Sequence, residues 1–157
     1  MKTLVVYFTR TGTTKKLAEQ IAEGLRADSE EIIAEKDYSG PLGYMRAGLE
    51  STRKKHAGID KPKKDPSKYD LVIIGTPIWG WNISSPVRAY LEQMKTKLKK
   101  PNLAFFCTEG GSGGKKAFNA MESITGKNPK AVLELRMKDY LDGESGKDIK
   151  EFIISLK

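Results

Sequence analysis

The sequence predicts a doubly wound α/β domain: a five-stranded parallel sheet in the order 2-1-3-4-5, with helices on both faces. Three observations carry that prediction. Residues 4–8, 71–74 and 103–107 are short unbroken apolar runs, as parallel strands covered on both faces require. Weaker runs at 31–34 and 131–135 carry charges, the second alternating Val132 and Glu134 with Leu133 and Leu135, which suits half-solvated edge strands. Helical periodicity fills the intervals, giving the strand–helix alternation of a parallel sheet. The order 2-1-3-4-5, a common arrangement of doubly wound sheets, satisfies the placing of the charged strands at the rims and the apolar ones inside.

The helices follow from spacing. Leu17, Ile21 and Leu25 recur at i, i+4 and i+8, and Val87, Leu91, Met94 and Leu98 stripe a second helix, with Ser85 as N-cap and Pro86 in its first turn. Phe118, Met121 and Ile124 mark a third, and Ile149, Phe152, Ile153 and Leu156 a last one. Residues 38–68 are the least regular: Leu42, Tyr44, Met45 and Leu49 suggest a short helix before a Lys/Pro-rich tract. No internal repeat or low-complexity tail interrupts a single domain over residues 1–157.

That length is enough to bury roughly 70% of the unfolded surface around one core. No apolar run approaches a membrane span, and the start MKTLVV lacks a signal-peptide profile, so a soluble, cytoplasmic protein is expected. One cysteine, Cys107, and one histidine, His56, exclude an internal disulfide and a Cys/His zinc cluster, and no metal site is expected. Cys107 reads as a small buried residue and His56 as an exposed one.

In such a sheet, ligands sit beyond the carboxyl ends of the strands where the order reverses, here between the first and third strands. Three unusual loops fall on that edge. The first, TRTGTT, offers hydroxyls at Thr9, Thr11, Thr13 and Thr14, with Gly12 allowing close backbone approach. Free amides at the start of the next helix complete a nest for a phosphate. It lacks the GxxxxGK[ST] pattern of a nucleoside-triphosphate loop, and so does GGSGGKK at 110–116. The second loop, TPIWGWN, carries Thr76, Pro77, Ile78, Trp79, Gly80, Trp81 and Asn82. Two indoles so close together cover either the core, under the segment from Tyr38 to Lys55, or a flat ligand. The third, CTEGGSGG, supplies Thr108, Glu109, Gly110, Gly111 and Gly113, a floor of main chain against which a planar group can lie.

A phosphate cradle, an aromatic wall and a glycine floor together ask for a flat heteroaromatic with one phosphate, which is riboflavin 5′-phosphate (FMN). On these residues the sequence resembles a short-chain member of the flavodoxin family, whose phosphate-loop pattern is matched at Thr9, Thr11, Gly12 and Thr14. The resemblance spans nearly the whole chain and implies a flavodoxin-like three-layer fold. It further implies noncovalent FMN, its phosphate on residues 9–14 and its ring between residues 77–82 and 108–113. Carrier flavodoxins are acidic and often stack a tyrosine from the third loop, where this chain has Thr108, Glu109, Ser112 and glycines. TPIWGWN followed by SSPVRAYLEQ is instead similar to flavodoxin-fold proteins and NAD(P)H-dependent FMN oxidoreductases, in which that loop precedes a helix starting near a proline, a resemblance that implies one ring face open to a substrate.

The net charge is +8. The Lys-rich tracts at 61–68, 95–100 and 126–130 all precede strands, which puts them at the amino edge, opposite the site. Without interleaved aromatics or a recognition helix, nucleic-acid binding is not supported. Arg10 either steers an anion or is solvated. Two function classes follow: an electron-transfer flavoprotein with a redox partner protein, or an NAD(P)H-dependent FMN or quinone oxidoreductase with a nicotinamide or quinone substrate, as monomer or homodimer. No acid–base catalytic side chain is assigned in either.

Overall fold

The computed structural model describes residues 1–53 and 58–157; the expectation for His56 lies outside the described residues. In chain order the elements are β1 (Thr3–Tyr7), α1 (Thr13–Leu25), β2 (Asp28–Glu31), α2 (Gly40–Thr52), β3 (Leu71–Trp79), β4 (Asn82–Ile83), α3 (Ser85–Met94), β5 (Asn102–Glu109), α4 (Gly114–Thr125), β6 (Val132–Arg136), α5 (Met137–Leu141) and α6 (Gly146–Ser155), with 3-10 turns at Pro66–Lys68 and Lys97–Lys99. The sheet runs β2-β1-β3-β5-β6, every pair parallel. This is the expected order 2-1-3-4-5, with β4 added as a short antiparallel appendage to β3.

Alternation along the central strands divides the core in two. Leu4, Val6, Val72, Ile74, Leu103 and Phe105 face one side with Val87 and Leu91 of α3 and Met121 of α4. Val5, Tyr7, Leu71, Ile73, Ala104 and Phe106 face the other with Leu17 and Ile21 of α1 and Ile149 and Phe152 of α6. No helix among the described residues is long and apolar enough to cross a membrane.

Several boundaries differ from the sequence reading. The second strand lies at Asp28–Glu31 and not 31–34, because pairing with β1 runs from Leu4↔Asp28 to Tyr7↔Glu31. The N-cap of α3 is Ser84, and Leu98 packs from the 3-10 turn beyond the helix. Ser85 is spent elsewhere: its hydroxyl donates to Glu50 Oε2 at 3.0 Å. Helix α5 carries no buried residue and so left no apolar stripe to read.

The apolar residues that suggested α2 face outward, with Leu42 79% exposed. The helix instead buries Gly43, Ala47 and Ser51, spaced at i, i+4 and i+8. A Cβ on Gly43 would lie 2.2 Å from the Tyr38 carbonyl carbon, so the small-residue face lets α2 approach the preceding chain closely. Ser51 adds a hydrogen bond to the Ile83 carbonyl at 2.7 Å. Glu50 fixes the same helix by accepting from Tyr38 Oη at 2.7 Å and pairing with Lys36 Nζ at 2.9 Å.

The three basic tracts precede β3, β5 and β6, and the first does not keep to the amino edge: it begins alongside edge strand β2, where the Lys63 and Lys64 amides donate to Glu30. Lys97 pairs with Asp65 at 3.0 Å, and the Lys127 ammonium donates to the Lys99 carbonyl at 3.0 Å and to that of Pro101.

Candidate functional site

All three loops leave the carboxyl edge of the sheet. In the first, Gly12 is the N-cap of α1 with φ +97°, a left-handed turn that glycine adopts without strain. Its amide donates to Thr9 Oγ1 at 3.0 Å. No side chain caps the helix and no acidic residue stands in its first turn, so its amino end presents uncapped amides and positive dipole. Thr11 is exposed, while Thr13 and Thr14 are buried. The Thr14 hydroxyl bonds that of Thr108 at 2.7 Å, fastening the first loop to the third. Arg10 lies half-buried with its guanidinium 5.3 Å from the centre of the Tyr44 ring, a cation–π contact that ties the first loop to α2.

The second segment, read from sequence as a loop, is a tight hairpin. β3 continues to Trp79, pairs Ile78↔Ile83 and Trp79↔Asn82, and turns through Gly80 at φ +53° and Trp81 at φ +60°. Two positive φ angles at the central positions are those of a type I′ turn. Glycine tolerates the first; for tryptophan the conformation is strained. Thr76 secures the base of the hairpin, its Oγ1 accepting from the Ser84 amide at 3.1 Å.

The two indoles separate. Trp79 is buried in an aromatic cluster, 4.8 Å from Tyr38 and 5.4 Å from Phe8 between ring centres, which is the packing under the Tyr38 segment that the sequence left open. Trp81 is 65% exposed. Pro77 and Asn82 are buried, Ile78 half-buried, and Asn82 Oδ1 accepts from the Ile83 amide at 2.8 Å.

In the third loop Gly110, Gly111 and Ser112 are exposed, and a Cβ at either glycine would meet nothing within 4 Å. Gly113, at φ +121°, is the N-cap of α4, and a Cβ there would come within 2.9 Å of Trp81 Cα and 3.0 Å of Ile78 Cγ2. Glycine at this position lets the second and third loops meet. Residues 78–81, residues 110–112 and the α2 residues Tyr44, Ala47, Gly48 and Thr52 line one cavity of about 480 Å³. The α2 wall escaped the sequence reading; its signal was the run of small residues facing the hairpin, where a Cβ on Gly80 would lie 2.5 Å from Thr52 Oγ1.

Glu109 turns away from the loop surface. It is buried, accepts from the Gly114 amide at 3.1 Å and lies against Glu134; burial, then its hydrogen bond and like charge with Glu134, raise its pKa above the ordinary carboxylate range. It therefore binds its proton more tightly folded than unfolded, and the stability it contributes at low pH is lost as pH rises through the folded value. Glu109→Gln keeps an acceptor for Gly114 and removes the titration. Its thermal midpoint should match the wild type at pH 4 and exceed it at pH 8; parallel midpoint curves across that range would refute the assignment. Cys107, fully buried beside this segment, has its thiol pushed upward chiefly by burial.

The chain is 31% identical over 97 residues to a Cupriavidus metallidurans protein named NAD(P)H dehydrogenase (quinone), an alignment covering 59% of this chain and 46% of that protein. It thus spans about half the length of the curated relative it matches. Among solved structures it is similar to a Lactobacillus acidophilus flavoprotein in complex with FMN, with TM-score 0.71, 25% identity, and 92% of this chain and 98% of that one covered. It also shares the fold of the two-electron reduced Megasphaera elsdenii flavodoxin, with TM-score 0.64, 16% identity, and coverage of 98% and 96%. Residues 2–153 match the model of the Flavodoxin family, and the chain belongs to that family.

Proposed function

We propose that this protein binds FMN and serves as an electron-transfer flavoprotein. One observation carries the reading: an uncapped, glycine-turned helix start is hydrogen-bonded through Thr14 and Thr108 to a loop lining a cavity of flavin-ring size. The residues fit the cofactor. Thr9, Arg10, Thr11, Gly12, Thr13 and Thr14 would hold the phosphate by amides, hydroxyls and one cation. Residues 76–82 and 108–113 would hold the ring, with Trp81 as the exposed aromatic and Gly110 and Gly111 as the floor. Trp79 and Glu109 contribute through main chain and packing, since their side chains are committed to the aromatic cluster and to Gly114. When bound, FMN supplies one- and two-electron redox chemistry. The chain's own part is to orient the ring, to shield one side of it with the hairpin and α2, and to keep ionised carboxylates away from it.

A second reading, an NAD(P)H-dependent FMN or quinone oxidoreductase, is favoured by the name of the Cupriavidus relative and by the 65% exposure of Trp81 at the cavity mouth. Anaerobic mixing of the FMN-loaded protein with NADH and with NADPH separates the two. Inertness toward both, with reduction by a protein donor, is the outcome expected of a carrier; rapid bleaching by either nucleotide would replace the first reading with the second.

Trp81 supplies a further test. It gives up little packing when truncated and sits in a strained turn, so Trp81→Gly should unfold no earlier than the wild type while binding FMN more weakly, by roughly 1 to 3 kcal/mol for a lost aromatic contact. In the wild type, FMN should quench indole fluorescence, and much of that quenching should vanish in the variant. Unchanged affinity and quenching would remove Trp81 from the ring site.

A further inference from the structure

Behind the hairpin, on the side of α3 and α4, lies a second cavity of about 280 Å³ lined by Asn82, Arg88, Lys116, Asn119, Ser123 and two apolar residues of α4. Its most unusual member is Arg88, which is only 6% exposed. Its Nη2 reaches Asn82 Oδ1 at a long 3.4 Å, and that oxygen already accepts the Ile83 amide at 2.8 Å. Its Nε is buried without a partner. A guanidinium this far from water, with one N–H unpaired, carries a desolvation penalty that an anion beside the group would offset. Burial lowers the affinity of Arg88 for its proton, while Glu92, one turn further along α3, opposes that shift.

The other lining groups point the same way. Lys116, Asn119 and Ser123 fall on one face of α4 and offer an ammonium, an amide and a hydroxyl, all able to donate, and the lining contains no carboxylate. A cation would meet two positive side chains there and no carboxylate. We propose that this cavity is a second anion site, in which the Arg88 guanidinium and Lys116 Nζ hold a phosphate or carboxylate and Asn119 and Ser123 complete its shell. The cavity shares Asn82 with the hairpin that follows Trp81, and Lys116 stands in the first turn of the helix begun by Gly113. An anion held there would brace both ring loops from behind. The site does not depend on FMN, and its ligand is either a free oxyanion or the phosphate of a nucleotide.

The test is a titration of the full chain, with and without FMN, followed by the side-chain N–H resonance of Arg88, which reports this cavity and not the threonine loop. At fixed ionic strength, inorganic phosphate should shift that resonance saturably while chloride does not. Lys116→Gln, at an exposed position, should weaken the response about fivefold. Thr11→Val should leave it unchanged, so failure of the flavin reading and failure of this one are distinguishable. Repeating the titration with adenosine 2′,5′-bisphosphate identifies the source: tighter binding than inorganic phosphate supports a nucleotide phosphate, and equal or weaker binding a free oxyanion. An Arg88 resonance unmoved by either probe, or moved equally by chloride, would overturn the proposal and leave Arg88 a packing residue.

Discussion

Gly75→Ala should destabilise the protein by about 3 kcal/mol, the upper range for overpacking a close-fitted core, and lower its thermal midpoint by roughly 6 to 12 °C. Gly75 lies in β3 at the centre of the sheet, in register with Tyr7 of β1 and Phe106 of β5. A Cβ there would fall 2.0 Å from Phe106 Cζ and 2.4 Å from Cε2, and Phe106 is fully buried. The ring cannot swing into solvent, and its neighbours on that face, Tyr7 among them, are packed around it. Thermal unfolding of Gly75→Ala beside the double variant Gly75→Ala/Phe106→Leu checks the mechanism, because the smaller side chain should recover part of the loss as a favourable coupling energy. Additive losses would place the strain elsewhere.

Gly75 also marks what a single sequence conceals. The apolar runs announced the interior strands and the charged ones the rims, because burial on two faces leaves no polar positions; the observed order is the common doubly wound arrangement that satisfies this placement. The candidate phosphate loop could be proposed from the sequence for a similar reason: Thr9, Thr11, Gly12, Thr13 and Thr14 form one contiguous string of hydroxyls and a glycine. The remainder depends on contacts across the chain. Trp79 and Trp81 are chemically identical, and only the hairpin decides that one points into Phe8 and Tyr38 and the other into solvent. The hairpin was hidden because a type I′ turn calls for Asn or Gly where this chain places Trp81. Helix α2 was detected by its large apolar residues, yet it packs through Gly43, Ala47 and Ser51, and so the wall it gives the cavity went unseen. Glu109 reads as a loop carboxylate until Glu134, brought alongside by the pairing of β5 with β6, is seen to share its surroundings.

FMN should bind this protein about a hundredfold to ten-thousandfold more tightly than riboflavin, the difference made by two charge-assisted hydrogen bonds to the phosphate at about 1.5 to 3 kcal/mol each. The loop is built for that contrast. Its helix start has no side-chain cap and no first-turn acid, so a dianion meets amides and positive dipole there, with the Gly12 amide donating to Thr9 Oγ1 at 3.0 Å. Two substitutions then separate binding from folding. Thr11 is exposed, so Thr11→Val should weaken FMN by the worth of one such bond and leave the thermal midpoint of the unliganded protein unchanged. Thr14 is buried and bonded to Thr108 at 2.7 Å, so Thr14→Val should weaken FMN and also cost the fold about 1 to 3 kcal/mol, because the Thr108 hydroxyl is left without its partner. Calorimetric titration of both ligands against the wild type and the two variants reads all of these quantities. Equal affinities for FMN and riboflavin would mean that the threonine loop does not hold a phosphate, and the cofactor assignment would then rest on the ring cavity alone.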